Sequence, residues 1–358
     1  MSVFNDSKYL EQSIQSILKQ SFSNFEFIII DDGSKDKTYE IVNRNMKMDK
    51  RIKFFRRDHY GLASSLNFGI SKAKGKYIAR MDADDISHYK RFEKQVHIFK
   101  NQDVDIVGSN IAYIDTFGKS LGEKICFPKN NIEIKWNLLF TNPIAHSTVM
   151  MKKSIFTNRV SYNVDYKYSQ DYALWIKLSK NYKFYNIQEI LLKFRLKNDN
   201  VKINSQMDYI IKSQKYLLSQ VDSDISNEKT RLFNALINNK LKSKNDFKLS
   251  FQILKKITRN FINVSQIMSI NECHRISTLF SDTLKKVLIN NGQLSSMISI
   301  HIIIMMVYYN HKVLLTKDFW WSLKTWFIKI MKIFFVRLYR SVTIFNWHIF
   351  FKLRKSIL

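Results

Sequence analysis

The sequence predicts an α/β chain: a doubly wound, mostly parallel sheet with flanking helices over residues 1–200, followed by a helical C-terminal region. Two observations carry the prediction. Apolar runs of strand length alternate with segments of helical periodicity, the pattern that parallel strands joined by crossover helices require. Two of those runs end directly in carboxylates, and in open α/β sheets ligands bind outside the carboxyl ends of the strands. An apolar content of 45% beside 25% charged residues is that of a globular chain large enough for a sizeable core.

The elements follow in order. Leu10, Ile14, Ile17 and Leu18 fall at helical spacing after Asp6, a candidate N-cap. Phe25-Glu26-Phe27-Ile28-Ile29-Ile30 is a buried strand ending in Asp31-Asp32-Gly33-Ser34. A second helix is expected over 37–48, a short strand at Ile52-Lys53-Phe54-Phe55, and a third helix over 61–74 with Leu62, Leu66, Ile70 and Ala73 on one face. The next strand runs from Tyr77-Ile78-Ala79 through Arg80-Met81 into Asp82-Ala83-Asp84-Asp85, and Val104-Asp105-Ile106-Val107-Gly108-Ser109-Asn110 reads as another.

The acidic end of the Tyr77 strand is the chemical centre of the chain. Three carboxylates within four positions demand a bound cation or strong solvation. If the segment stays extended, Asp82 and Asp84 point the same way and together hold one Mg²⁺ or Mn²⁺ against a diphosphate. A solvated acidic turn is the alternative.

Charge narrows the partners. Fifty-eight Lys and Arg against 30 Asp and Glu give +28, a balance that favours a polyanion: nucleic acid, an anionic membrane surface or a phosphorylated substrate. No nucleic-acid-binding motif accompanies it, so no nucleic-acid partner is expected. The two cysteines, Cys126 and Cys273, have no metal-ligand spacing and the N-terminus is not signal-like, which predicts a reducing, cytoplasmic location.

Three runs in order carry a resemblance: Phe27-Ile28-Ile29-Ile30-Asp31-Asp32-Gly33-Ser34-Lys35-Asp36-Lys37-Thr38; Gly61-Leu62-Ala63 with Leu66-Asn67 and Gly69-Ile70; and Ala73-Lys74-Gly75-Lys76 leading through Tyr77 to Asp85. Over about residues 1–200 the chain resembles the inverting family 2 glycosyltransferases of the GT-A fold. The resemblance implies a metal-dependent hexosyltransferase that uses a nucleotide-sugar donor, most commonly a UDP-sugar, in surface polysaccharide or glycolipid synthesis. Asp31 would accept a hydrogen bond from the nucleotide base with Asp32 nearby, although both also suit a helix-capping acidic turn. Asp82 and Asp84 match the metal motif, Asp82 also serving the donor. Arg80 and Lys74 would face the phosphates or pair with the acidic cluster. Asn67 and Gly69 suit helix packing.

The second anchor is Tyr168-Ser169-Gln170-Asp171-Tyr172-Ala173-Leu174-Trp175. Asp171 opens a helix whose apolar side is Leu174, Trp175 and Leu178, so by local sequence it is an N-terminal cap; the resemblance makes it the general base. Gln170 stands where the family has Glu, a loss of charge that affects acceptor binding or the base's pKa. His146, in Asn142-Pro143-Ile144-Ala145-His146, is a phosphate or metal contact or a structural histidine.

Only Met1-Ser2-Val3 precede Phe4-Asn5-Asp6 where the family has a full first strand, so neighbouring edges are expected to lie unpaired and the core open. Either the true start lies upstream of Met1 or the protein is impaired; with Gln170, the second reading supports an alternative function, a catalytically silent relative acting as a membrane-associated binding or scaffold protein.

Beyond residue 200 two regions are expected. Residues 201–310 form a helical appendage, with Leu232, Leu236 and Ile237 at helical spacing; within its apolar stretch 294–309 the core Ile298 to Tyr309 is short and His-interrupted, which favours a non-spanning segment and leaves spanning as the alternative. Residues 311–358 form a basic amphipathic tail, with Trp320, Phe327, Met331, Phe334 and Leu338 on one side and Lys329, Lys332, Arg337 and Arg340 on the other. The expectation is a peripheral protein on the inner face of the cell membrane, working on a saccharide or lipid-linked saccharide acceptor.

Overall fold

The computed structural model describes residues 1–157, 160–197, 203–237, 241 and 243–264. A first compact unit spans Met1–Arg231 and a second begins at Leu232. Every residue of the candidate site lies in the first.

That unit opens with a parallel sheet. Strands β1 (Ser2–Val3), β2 (Phe27–Asp31) and β3 (Ile52–Arg56) lie in the order β1-β2-β3, joined by helices α1 (Ser7–Leu18) and α2 (Thr38–Met48). Leu10, Ile14 and Ile17 of α1 are buried with Ile29 of β2 and Val42 of α2, as their periodicity requires. Asp6 makes no side-chain cap on α1. The N–H of the first helical residue, Ser7, is met by another carboxylate, Asp36 Oδ2, at 2.8 Å. Helix α3 (Leu62–Lys72) then packs on β2, where a Cβ at its Gly69 would stand 2.7 Å from the end of the Ile30 side chain. Asn67 ties α3 to the backbone of Tyr162 through both ends of its amide, at 2.8 and 2.9 Å. Both residues therefore serve packing, as expected.

A second sheet, mixed in direction, follows. Strands β4 (Tyr77–Ala79), β5 (Ile86–Ser87), β6 (Ile106–Ile114), β7 (Ser120–Ile125), β8 (Met150–Lys152) and β9 (Phe184–Arg195) run in the order β4-β8-β6-β9-β5, with β7 on β6. Only β6 and β9 pair in parallel; β7 returns along β6 by a tight turn through Gly118, whose φ of +86° suits glycine. Helices α4 (Arg91–Asn101), α5 (Asn131–Leu138) and α6 (Gln170–Leu178) flank it. The two sheets meet in one parallel bridge, Ser2 with Asp82.

Strand β1 is short, yet the edges expected to lie unpaired are met in part: Ser2 and Val3 pair with β2, and Ser2 bridges to Asp82. The Met1 amine donates to Ile28 O at 2.9 Å and Ile30 N donates back to Met1 O at 3.0 Å, which closes the ladder at that point. Between β2 and β4 lies a cavity of about 360 Å³, lined by Met1, Phe27, Ile28, Ile30, Tyr77 and Phe92 among others. Burial beside Arg80 pulls the amine's pKa down to about 5.

Helix α7 (Ile203–Val221) belongs to the first unit although it starts beyond residue 200. Its Ile210 and Leu217 pack against a core containing Tyr172 and Trp175, and Gln214 donates to Phe140 O at 3.1 Å. Helices α8 (Asn227–Ile237) and α9 (Lys244–Val264) follow. Among the described residues no helix is long and apolar enough to cross a membrane. Residues 294–309 and the expected basic tail 311–358 lie outside the described residues.

Candidate active site

Strand β2 delivers Asp31 and Asp32 to the rim of the first sheet, and they play different parts. Asp32 is spent on structure: Tyr60 N at 3.2 Å, Gly61 N at 2.8 Å and Ser65 Oγ at 2.6 Å all donate to it, so it caps the start of α3. His59, stacked on Phe4 at 4.0 Å, closes over the same carboxylate. Asp31 is fully buried, and its Oδ1 accepts from Ser34 N at 2.8 Å. Its Oδ2 accepts no hydrogen bond, although Arg56 Nε lies 3.4 Å away. A buried carboxylate oxygen with an open acceptor position is suited to a donor N–H such as that of a nucleotide base. Of the two expected donor-binding carboxylates, Asp31 keeps that capacity and Asp32 does not.

The acidic cluster bends, contrary to the extended geometry expected of it. Asp82 pairs with Ser2 in an isolated bridge beyond the end of β4, and the chain then bends through Ala83 and Asp84. The bend brings carboxylate oxygens of Asp82, Asp84 and Asp85 within 4.8 Å of one another, and so adds Asp85 to the pair read from the sequence. All-oxygen donors of this kind fit a hard divalent cation, Mg²⁺ or Mn²⁺. Asp85 Oδ2 is buried without a partner while Arg195 N donates to Oδ1 at 2.9 Å; burial and the neighbouring Asp82 and Asp84 charges push its pKa up to about 8.

Basic side chains, however, already balance much of this charge. Arg80, 5% exposed, gives both terminal nitrogens to Asp82, and Ser147 Oγ adds a bond to Asp82 Oδ2 at 2.6 Å. Arg80 thus sits under the cluster and is not free to face a phosphate; of the two roles the sequence allowed, the structure shows pairing. Fully buried Arg91 braces the same region, donating to Ser147 O at 2.6 Å and Arg80 O at 3.2 Å. Lys197 Nζ lies 2.8 Å from Asp84 Oδ2 and 2.7 Å from Asp6 Oδ1. The demand for a bound cation inferred from sequence is met in part by these chain cations, which local sequence could not reveal because Arg195 and Lys197 arrive more than a hundred residues later. Lys74 lies before the opposite end of β4, where its N–H and that of Gly75 go to Glu26, and takes no part.

Asp171 stands in the first turn of α6, with Ser169 in the left-handed conformation (φ 54°) just before the helix. Asn142 Nδ2 donates to Asp171 Oδ2 at 2.7 Å. Burial raises the Asp171 pKa above its ordinary value, opposed by the Tyr172 N–H, the Arg80 charge and Asn142. Gln170 is buried beside it. Ser147 bonds Asp82 at 2.6 Å while its neighbour His146 packs against Trp175 of α6 at 5.9 Å between ring centres, so the fold brings the acidic strand end and α6 to one place. His146 Nε2 pairs with the Tyr162 hydroxyl at 2.8 Å and packs edge-on against Trp175, and burial holds its pKa well below the ordinary value. It is a neutral, structural histidine here.

Comparisons with known proteins follow the same outline. Residues 1–159 match the sequence pattern described as Glycosyl transferase family 2. An uncharacterised glycosyltransferase of Haemophilus influenzae is 35% identical over 203 residues, 54% of this chain and less than two thirds, 63%, of that protein. The O-antigen biosynthesis glycosyltransferase WbnJ of Escherichia coli is 34% identical over 208 residues, 56% of this chain and 80% of that protein. Among solved structures, S. aureus TarS 1-349 in complex with UDP-GlcNAc superposes with a TM-score of 0.51 at 13% identity, covering 86% of this chain and 89% of that one. That likeness concerns the fold.

Proposed function

The chain belongs to glycosyl transferase family 2, and from that membership we propose that it transfers a sugar from a nucleotide-diphosphate donor to a hydroxyl of a saccharide acceptor with inversion. The supporting observation is that the acidic strand end and α6, which carries Asp171, are joined through His146 and Ser147: Ser147 bonds Asp82, and His146 packs on Trp175. In this reading Asp31 Oδ2 receives the base of the nucleotide, a UDP-sugar being the first donor to test. Asp171 takes the proton from the acceptor hydroxyl. The hydroxyl oxygen then bonds to the anomeric carbon as the bond from that carbon to the diphosphate breaks on the opposite face.

A divalent ion would be held by Asp84 and Asp85, with Asp82 contributing to the extent that Arg80 releases it; when bound it supplies Lewis-acid stabilisation of the departing diphosphate. Within the chain, Arg80 and Arg91 keep the cluster in place, and Asn142 orients the base. Burial of Gln170 in place of an acid leaves Asp171 without a second carboxylate beside it.

The acceptor in this reading is a lipid-linked saccharide, and the protein is peripheral on the cytoplasmic face of the membrane. The support is sequence alone: residues 311–358 hold ten Lys or Arg against one acid, Asp318, together with Trp321, Trp326 and Trp347. The deciding experiment incubates the purified chain with UDP-, GDP- and dTDP-sugars, Mn²⁺ and a membrane extract. Release of nucleotide diphosphate from one donor supports the reading; release from none, with nucleotide binding retained, would favour the silent scaffold.

A further inference from the structure

The bonds around Asp84 differ from those of its two neighbours. Asp82 is held by Arg80 and Ser147, and Asp85 by the backbone of Arg195. Asp84 is met by a lysine, Lys197, whose ammonium is 2.8 Å from Asp84 Oδ2. The same ammonium lies 2.7 and 2.9 Å from the two carboxylate oxygens of Asp6, and 5.1 Å from the centre of the Tyr9 ring. The groups facing Lys197 are therefore two carboxylates and an aromatic face, with Arg195 on the same ring at 4.6 Å.

An ammonium is a compact point charge on a flexible stem, and hydrated carboxylate oxygens bind it or a divalent cation by the same attraction. Only one can have Asp84 Oδ2 at full strength. Asp6 is not one of the three clustered carboxylates. A lysine that leaves Asp84 thus still has Asp6 and Tyr9 to hold it, and the move strands no buried charge.

We propose that Lys197 is a resident counter-cation of this site, which holds Asp84 when no divalent ion is bound and withdraws onto Asp6 when one binds. The proposal rests on the divalent-cation reading above and deepens it. Lys197 lowers the apparent affinity for the ion and keeps Asp84 positioned in its absence, so it is a positioning residue and takes no part in bond making.

Two measurements on the full chain, both without donor, test this. The first is Mn²⁺ binding followed by the electron paramagnetic resonance of the free ion. Lys197→Met should bind Mn²⁺ about tenfold more tightly than the parent, the size of a typical site-to-site coupling, and Lys197→Arg no more tightly than the parent. The second uses the unsubstituted chain, so it stands even if the Met variant fails to fold: acylation of Lys197, read by mass spectrometry, should speed up severalfold in Mg²⁺ compared with KCl of equal ionic strength. Unchanged or weaker Mn²⁺ binding by Lys197→Met, no Mn²⁺ binding by either form, or Mg²⁺-independent acylation overturns the exchange. Neither readout needs sugar transfer, so failure of every donor would count against the glycosyltransferase reading and leave this result standing.

Discussion

Asn142 donates its side-chain amide to Oδ2 of Asp171 at 2.7 Å, which fixes the orientation of that carboxylate. With Asp171 as the base, Asp171→Asn should lower kcat by about 10²-fold or more, the usual contribution of general-base catalysis, with nucleotide affinity close to the parent's. Transfer at near-parent rate would reduce Asp171 to a helix cap.

The raised pKa of Asp171 sets two pH effects. Activity needs the carboxylate, so kcat/KM should rise with pH through a midpoint above the ordinary Asp value of about 3.9. Asn142→Ala removes a bond to the charged form and should move that midpoint higher still. Stability runs the other way. The folded chain holds this proton more tightly than the unfolded chain, so stability is lost as pH rises from the unfolded to the folded value. Asp171→Asn should therefore melt higher than the parent at neutral pH, and the difference should vanish below about pH 4. Thermal melts across pH check it.

Asp82 and Asp84 should separate when each is changed to Asn. Asp82→Asn leaves the guanidinium of Arg80, 5% exposed, without its anion and should cost about 3 kcal/mol of stability. Asp84→Asn releases only partly exposed Lys197, which keeps Asp6, and should cost little stability while removing metal-dependent nucleotide affinity. Denaturant melts and nucleotide titration with and without EDTA read the two quantities separately.

Two glycines should respond in opposite ways. A Cβ at Gly108 would lie 2.3 Å from Asn186 Oδ1 and 3.0 Å from Ile144, both in packed surroundings, so Gly108→Ala should cost about 2 kcal/mol. At Gly69 the obstacle is the end of Ile30, a side chain that lines the 360 Å³ cavity and has room to turn. Alanine there gains about 1 kcal/mol of helix propensity, so Gly69→Ala should be close to neutral. Equal losses at both positions would show that Ile30 cannot use that space.

The tail is tested with vesicles. Each basic residue near an anionic surface is worth about 1 kcal/mol, so the full chain should sediment with anionic but not neutral vesicles at low salt, and a chain lacking 312–358 with neither. Equal recovery in the supernatant would remove the membrane role.

Local sequence made one half of the site legible. The alternation from Leu10 to Asp82 fixes strand ends, and strand ends fix where Asp31 and Asp82 stand, because period and order are local properties. What stayed hidden depends on distant chain. Nothing near Asp82 decides between a phosphate and the acidic cluster as the partner of Arg80, nor announces that Arg91 lies beneath or that Ser147 supplies a further bond. Asp32 and Asp31 are adjacent and alike in sequence; only the arrival of Tyr60, Gly61 and Ser65 makes one a cap and leaves the other open. Asp6 shows the same limit, since a residue placed as a helix cap is drawn off by Lys197, far along the chain.

The pairing of β9 also sets an order of assembly. Strands β1 to β3 pair residues a few tens of positions apart, so this parallel half closes its loops cheaply and can form while later residues are still emerging from the ribosome. Arg195 reaches Asp85 across 110 positions and Lys197 reaches Asp6 across 191. Until β9 docks, the three clustered carboxylates lack these two partners and repel one another. The residues that surround the acidic cluster are therefore assembled only when the segment through Lys197 is in place on the sheet.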